Sequence, residues 1–141
     1  MEVGQQRGGP GSDFENPVMG ANGYTLCLYD QMGRRLDAAA PAGGMCGRKP
    51  CWKQTSSGFV YDDRLLDPDG LQKVVLKAGA AAGRARITVT GKGANLRLST
   101  LPLTLPVRVQ LTRDLTATCW EATFSTSSRN TAEFFTAGSD P

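Results

Sequence analysis

Residues 71–90 read LQKVVLKAGAAAGRARITVT, and apolar and polar side chains alternate in residues 73–77 and again in residues 84–90. Successive side chains of a β-strand point to opposite faces, so this period of two is typical of strands with one buried face. The Ala- and Gly-rich residues 78–83 would then connect the two strands. The segment therefore predicts two consecutive half-buried strands.

Similar strand-like segments recur at intervals of about ten residues along the chain. They are residues 24–29, 34–36, 95–98, 107–111 and 119–124. Turn signals separate them, and the strongest is DPDG at residues 67–70, where proline fixes one φ angle and glycine accepts a positive one. This spacing predicts an all-β fold, an antiparallel β-sandwich of about seven to eight strands.

One segment near the end has a helical pattern instead. Asn130 is a favourable N-cap residue, Glu133 follows three residues later, and two phenylalanines come next. We therefore expect a short C-terminal helix at the periphery of the sandwich.

The chain has 141 residues and a mass of 15.0 kDa, which is close to the usual size of one domain. Residues 1–22 are Gly-rich and polar, so we expect a flexible N-terminal segment there. The β-sandwich is assigned to residues 23–138 and a short tail to residues 139–141. Residues 1–13 contain no apolar core of a signal peptide, and we expect the chain to be one piece of a longer protein.

Four cysteines, Cys27, Cys46, Cys51 and Cys119, make an even number in a small Gly-rich chain. This suits two disulfides and an oxidising compartment, with free thiols in a cytosolic protein as the alternative. Three pairings are open, and we favour Cys27 with Cys46 and Cys51 with Cys119. A zinc site is disfavoured because only two of the cysteines are close in sequence and the chain has no histidine.

Trp52 and Trp120 each follow a cysteine directly. Tryptophan beside a disulfide commonly fills the core of a small β-sandwich, so we expect both indoles to be buried.

The absence of histidine excludes triad hydrolases. Glycoside hydrolysis needs only two carboxylates, and Glu121 with an aspartate is the enzymatic alternative. The sequence shows no second carboxylate and pocket to complete that site, so we expect no enzyme activity, no cofactor and no metal. No apolar run is long enough for a transmembrane helix.

The formal net charge is +3, with lysine and arginine scattered among acidic residues, which disfavours nucleic acid as a partner. Outward strand positions carry six cations that would form a basic ligand face if their strands adjoin in one sheet. They are Lys73, Lys77, Arg84, Arg86, Arg97 and Arg108. Such a face would meet an anionic polysaccharide or another cell-surface polymer. The alternative is that they are ordinary solvated residues that discourage edge-to-edge aggregation.

Several short motifs follow one another in a specific order. They include CWK at 51–53, PDG at 68–70, GKGANL at 91–96 and CWEATF at 119–124. Together they resemble a domain that recurs, often at the C-terminus, in large secreted or surface proteins of deltaproteobacteria and related environmental bacteria. The resemblance implies an extracellular or cell-surface location and paired cysteines. The family has no settled activity, so it implies no catalytic residue.

The sequence thus predicts a non-enzymatic extracellular β-sandwich module with a structural, adhesive or assembly role. A carbohydrate-binding module with exposed aromatic rings is one alternative. A filament subunit is the other, in which residues 1–22 self-associate by adding a strand to a neighbour's sheet.

Overall fold

The computed structural model describes residues 2–6, 16–19, 23–77, 85–97, 102–115, 119–127, 129–130 and 135–136. These residues form an all-β structure of two antiparallel sheets that share one core, which confirms the predicted disulfide-stapled β-sandwich. Among the described residues, no helix has the length and apolarity that crossing a bilayer requires.

The described residues contain thirteen strands, of which nine build the two main sheets and four form two small hairpins. The strands are β1 Glu2–Gln6, β2 Tyr24–Asp30, β3 Gly33–Ala40, β4 Met45–Cys46, β5 Lys49–Pro50, β6 Trp52–Gln54, β7 Gly58–Asp62, β8 Leu71–Lys77, β9 Ala85–Gly91, β10 Val107–Arg113, β11 Cys119–Phe124, β12 Arg129–Asn130 and β13 Phe135–Thr136. The five-stranded sheet has the order β1-β9-β8-β7-β6, and the four-stranded sheet has the order β11-β10-β2-β3. The strands predicted within residues 71–90 are β8 and β9, which pair with each other.

The core lies between the sheets, and four aromatic rings connect its two halves. Tyr24 on β2 lies with its ring centroid 5.5 Å from that of Trp52 and 6.2 Å from that of Trp120. Trp52 in turn packs on Tyr61 at 5.2 Å. Both tryptophans are 1% exposed, which confirms the prediction that they belong to the core. Such tilted ring pairs add about 0.5–1.5 kcal/mol each to the burial of apolar surface.

Residues 2–6, which the sequence places in a flexible segment, form the edge strand β1. This strand pairs antiparallel with β9, with Glu2 opposite Thr88 and Val3 opposite Ile87. Strand pairing uses backbone groups, so a Gly-rich segment without an apolar pattern can still provide an edge strand. The sandwich therefore includes residues that precede residue 23. The predicted tail at residues 139–141 lies outside the described residues.

The predicted C-terminal helix is replaced by the β12–β13 hairpin among the described residues. Asn130 does not cap a helix, because its side-chain amide binds both backbone groups of Leu103, the N–H and the carbonyl. Its Oδ1 accepts a hydrogen bond from the Leu103 N–H at 2.8 Å, and its Nδ2 donates to the Leu103 carbonyl at 2.7 Å. Residues 131–134 lie outside the described residues.

The structure also corrects the favoured cysteine pairing. Cys46 is bridged to Cys51, with the Cα atoms 4.9 Å apart, and Cys27 and Cys119 are free thiols. Cys27 and Cys119 lie on the strands that flank β10, opposite Gln110 and Thr112. Two strand spacings separate their backbones by about 9–10 Å, which is too far for a disulfide.

The free edge of the four-stranded sheet at β3 is capped by a side chain. The Ala39 N–H, which points away from β2, donates a hydrogen bond of 2.9 Å to Oδ2 of Asp69. One backbone donor at this edge is therefore already occupied within the chain.

Candidate ligand-binding site

A cleft of about 560 Å³ lies at the end of the five-stranded sheet, where β6 is the edge strand. The β4–β5 hairpin, β6, β7 and the loop after β7 form its walls. Four exposed cations line it, namely Arg48, Lys49, Lys53 and Arg64. We call this feature the cationic cleft.

The disulfide fixes the hairpin that carries two of these cations. Cys46 pairs with Lys49 across the hairpin, and the chain turns through Gly47 and Arg48. Gly47 has a φ of 73°, a left-handed conformation that glycine adopts without strain. The bridge to Cys51 then closes the hairpin, so Arg48 lies at the tip of a stapled loop.

A buried carboxylate shapes the loop that carries Arg64. Asp63 is 1% exposed, and its two oxygens accept hydrogen bonds of 2.9 Å from the backbone N–H groups of Leu65 and Asp67. The Tyr61 hydroxyl donates to the same carboxylate at 3.2 Å. Burial raises the pKa of Tyr61 above its ordinary value, and the negative charge of Asp63 raises it further. This network holds the loop against the sheet with Arg64 directed to the surface.

The charge of the cationic cleft is strongly unbalanced. Asp62 is the one acidic residue among its lining side chains, against four cations. Within the described part of the chain, no carboxylate lies within ion-pair distance of any of these four cations. Their charges are therefore available to a ligand.

The rim of the cleft is apolar on one side. Leu65 lines the cleft and is 59% exposed. Met45, 63% exposed, lines an adjoining groove together with Leu65. A ligand held by the cations would thus also meet uncharged surface.

The structure brings together only part of the predicted basic face. Lys73 and Lys77 on β8 and Arg86 on β9 are exposed on the outer face of the five-stranded sheet. Lys77 lies directly opposite Arg86 in the strand register. Arg84 lies outside the described residues.

The remaining two predicted residues lie elsewhere. Arg97 lines a separate pocket beside Arg34 and Asp69. Arg108 is on the four-stranded sheet, where its guanidinium lies 3.5 Å from Glu121 and 5.0 Å from the centroid of the Tyr29 ring.

Sequence reasoning did not single out the four cations of the cleft. The available signal was the spacing of Cys46 and Cys51, which leaves Arg48 and Lys49 on a loop if these cysteines pair with each other. Lys53 and Arg64 carried no local signal, because only the β6–β7 pairing and the Asp63 network bring them to the same cleft.

The carboxylates considered for catalysis are dispersed. Glu121 is exposed and binds Arg108 and Gln110, whereas Asp63 is buried in the loop network and Asp69 caps β3. Among the described residues, no three histidine, cysteine or acidic side chains are grouped to hold a metal ion.

Comparison of the chain with family models, with curated proteins and with solved structures finds no match.

Proposed function

We propose that the protein is a non-enzymatic extracellular module with a structural, adhesive or assembly role, which holds an anionic surface polymer in the cationic cleft. The observation that carries this proposal is the group of four exposed cations without ion-pair partners among the described residues. The Cys46–Cys51 disulfide supports an oxidising compartment. It agrees with the location implied by the resemblance to domains of secreted and surface proteins.

Polymeric ligands suit this cleft better than single anions. An exposed ion pair contributes only about 0.2–1 kcal/mol, because water and salt screen it. A polymer that contacts several cations at once gains from each contact without a new loss of translational freedom. We therefore expect weak binding of small anions and salt-sensitive binding of polyanions.

The cleft gives little support to catalysis. Hydrolysis of a glycosidic bond uses two carboxyl groups, one on each side of the bond. Asp62 is the one carboxylate among the described residues that line the cleft. A binding role accounts for its cations without requiring a second acid.

The geometry gives less support to sugar binding by exposed aromatic platforms and to filament assembly by strand donation. Trp52 and Trp120 are buried, so neither offers a flat platform for a sugar ring. Residues 2–6 pair with β9 of their own chain, which uses the segment that a filament subunit would donate to a neighbour.

The test is binding of polygalacturonate to the double variant Arg48→Gln/Lys49→Gln by biolayer interferometry. We expect a loss of roughly tenfold in affinity, from two lost ion contacts. The matched control is Arg34→Gln/Arg108→Gln, which removes the same charge from exposed sites on the four-stranded sheet. Equal losses in both variants would indicate attraction by net charge alone. Binding by neither the wild type nor the variants would overturn the proposal.

A further inference from the structure

We infer that the ligand is a linear polymer of acidic sugars that continues from the cationic cleft across the outer face of the five-stranded sheet, perpendicular to the strands. This inference rests on the proposed function and specifies its ligand class and path. It is carried by the cross-strand register of the outward-facing side chains.

Four outward-facing residues lie side by side on neighbouring strands. Lys53 of β6 is opposite Val60 of β7, Val60 is opposite Val75 of β8, and Val75 is opposite Thr88 of β9. The last three are half-buried. We call this row the valine strip. It crosses three strand spacings, a distance of about 14 Å.

Longer charged side chains flank the valine strip. On one side Lys77 faces Arg86, and on the other Lys73 faces Asp62. All four are exposed and lie two residues from the strip along their strands, which is about 7 Å. A chain lying on the short valine side chains would therefore have cations within reach on both sides.

The strip and the cleft form one continuous surface, because Lys53 and Val60 belong to both and Asp62 of the cleft flanks the strip. A ligand that enters at Arg48 and Arg64 therefore meets further cations when it extends over β8 and β9. Seven exposed cations follow this path from the cleft to β9, with Asp62 as the one acidic residue among its described side chains, and the path ends at Thr88, which lies opposite Glu2 of β1. The cations are Arg48, Lys49, Lys53, Arg64, Lys73, Lys77 and Arg86.

The chemistry of the surface favours acidic sugars over nucleic acid. Asp62 would accept hydrogen bonds from the sugar hydroxyls between the carboxylates of the polymer. The C–H faces of sugar rings would pack on Val60 and Val75. Single-stranded nucleic acid is usually held by exposed aromatic rings, and the described side chains of the strip and its flanks contain none.

The test measures affinity for galacturonate oligomers of increasing length, from the monomer to the octamer, by isothermal titration calorimetry. We expect the affinity of the wild type to rise with length until an oligomer covers both the cleft and the strip. In the double variant Lys77→Gln/Arg86→Gln, we expect about a tenfold loss for the octamer and less than a twofold loss for the dimer. Arg48→Gln/Lys49→Gln should weaken binding at every length.

The outcomes separate the two proposals. If Lys77→Gln/Arg86→Gln binds the octamer as the wild type does, while Arg48→Gln/Lys49→Gln is weakened, the path across the sheet is wrong and the cleft remains. If single-stranded DNA of matched charge binds more tightly than the octamer, the acidic-sugar assignment is overturned. If neither polyanion binds, the proposed function fails as well. Arg34→Gln/Arg108→Gln again serves as the charge-matched control, and circular dichroism verifies that each variant is folded.

Discussion

Both sheets carry arginine or lysine on their outer faces, but the described cations have ion-pair partners only on the four-stranded sheet. On the four-stranded sheet, Arg108 lies 3.5 Å from Glu121 and Arg34 lies 3.6 Å from Asp37. On the five-stranded sheet and its cleft, the described structure gives the cations no such partners. Cations of similar exposure therefore differ in whether a carboxylate of the same chain already lies beside them.

The largest expected effect is on stability, and it distinguishes a residue that folds the cleft from a cation that lines it. Asp63→Ala would leave the Leu65 and Asp67 N–H groups without their acceptor, whereas the Tyr61 hydroxyl would keep the Asp67 carbonyl at 3.0 Å. We expect a loss of roughly 3 kcal/mol in unfolding free energy, measured by urea denaturation. The neighbouring substitution Arg64→Ala should stay within about 0.5 kcal/mol of wild type, because an exposed cation contributes little to folding. Equal losses in the two variants would contradict the assigned role of Asp63.

The next prediction compares the stability contributed by the two bridged cysteines with that contributed by the two free ones. Cys46→Ser/Cys51→Ser removes the staple of the β4–β5 hairpin, and we expect a loss of about 2 kcal/mol in stability for so short a loop. Cys27→Ser/Cys119→Ser removes only free thiols and should change stability by less than about 1 kcal/mol. Thermal unfolding under non-reducing conditions measures both. Polygalacturonate affinity should fall only in the first variant.

The third prediction adds a carboxylate beside the cations of the five-stranded sheet, as the four-stranded sheet already has beside its arginines. Thr88→Glu places a carboxylate on the valine strip near Lys77 and Arg86. We expect roughly a tenfold loss of polygalacturonate affinity, because the new charge occupies the cations and repels the polymer. Thr88→Gln is the control of equal size and should bind within twofold of wild type. A similar loss in both variants would point to shape instead of charge.

The smallest expected effect concerns the acidic surroundings of the thiols on the four-stranded sheet. Burial raises the pKa of Cys119, and the charge of Glu121 raises it further. A raised pKa leaves less thiolate at pH 8, so alkylation by iodoacetamide should be slower than for an ordinary thiol. Glu121→Gln should lower this pKa and speed alkylation of Cys119 about twofold. Cys27 is the internal control, because its raised pKa has burial and Asp37 as its main causes.

The features that the sequence predicted correctly depend on patterns within a few residues. Alternation in residues 71–90 marks β8 and β9 because each strand buries one face. Trp52 and Trp120 are buried as predicted, but only Trp52 lies beside a disulfide, because Cys119 is a free thiol. The outer position of Lys73 and Lys77 follows from the same alternation.

The features that it did not predict depend on distant partners. Cys46 is bridged to Cys51 and not to Cys27, because β2 directs Cys27 to the outer face, away from the β4–β5 hairpin. Asn130 lies in a strand, where its side-chain amide is hydrogen-bonded to Leu103, twenty-seven positions away in the sequence. β1 has no side-chain pattern of its own and is specified by the edge of β9. The cations of the cleft come from three separate elements, the β4–β5 hairpin, β6 and the loop after β7, so no single segment of sequence predicts the cleft.

Under the proposed polymer binding, the hydrogen bond from the Ala39 N–H to the Asp69 carboxylate would limit contacts between neighbouring copies. Many copies held along one polysaccharide chain would be locally concentrated, a condition in which uncovered strand edges stick to one another. With one donor of β3 already satisfied and the charges of Arg34 and Asp37 along the same strand, docking of a second β3 is disfavoured. The coated polymer would then carry separate, individually folded copies in place of a fused β-sheet aggregate.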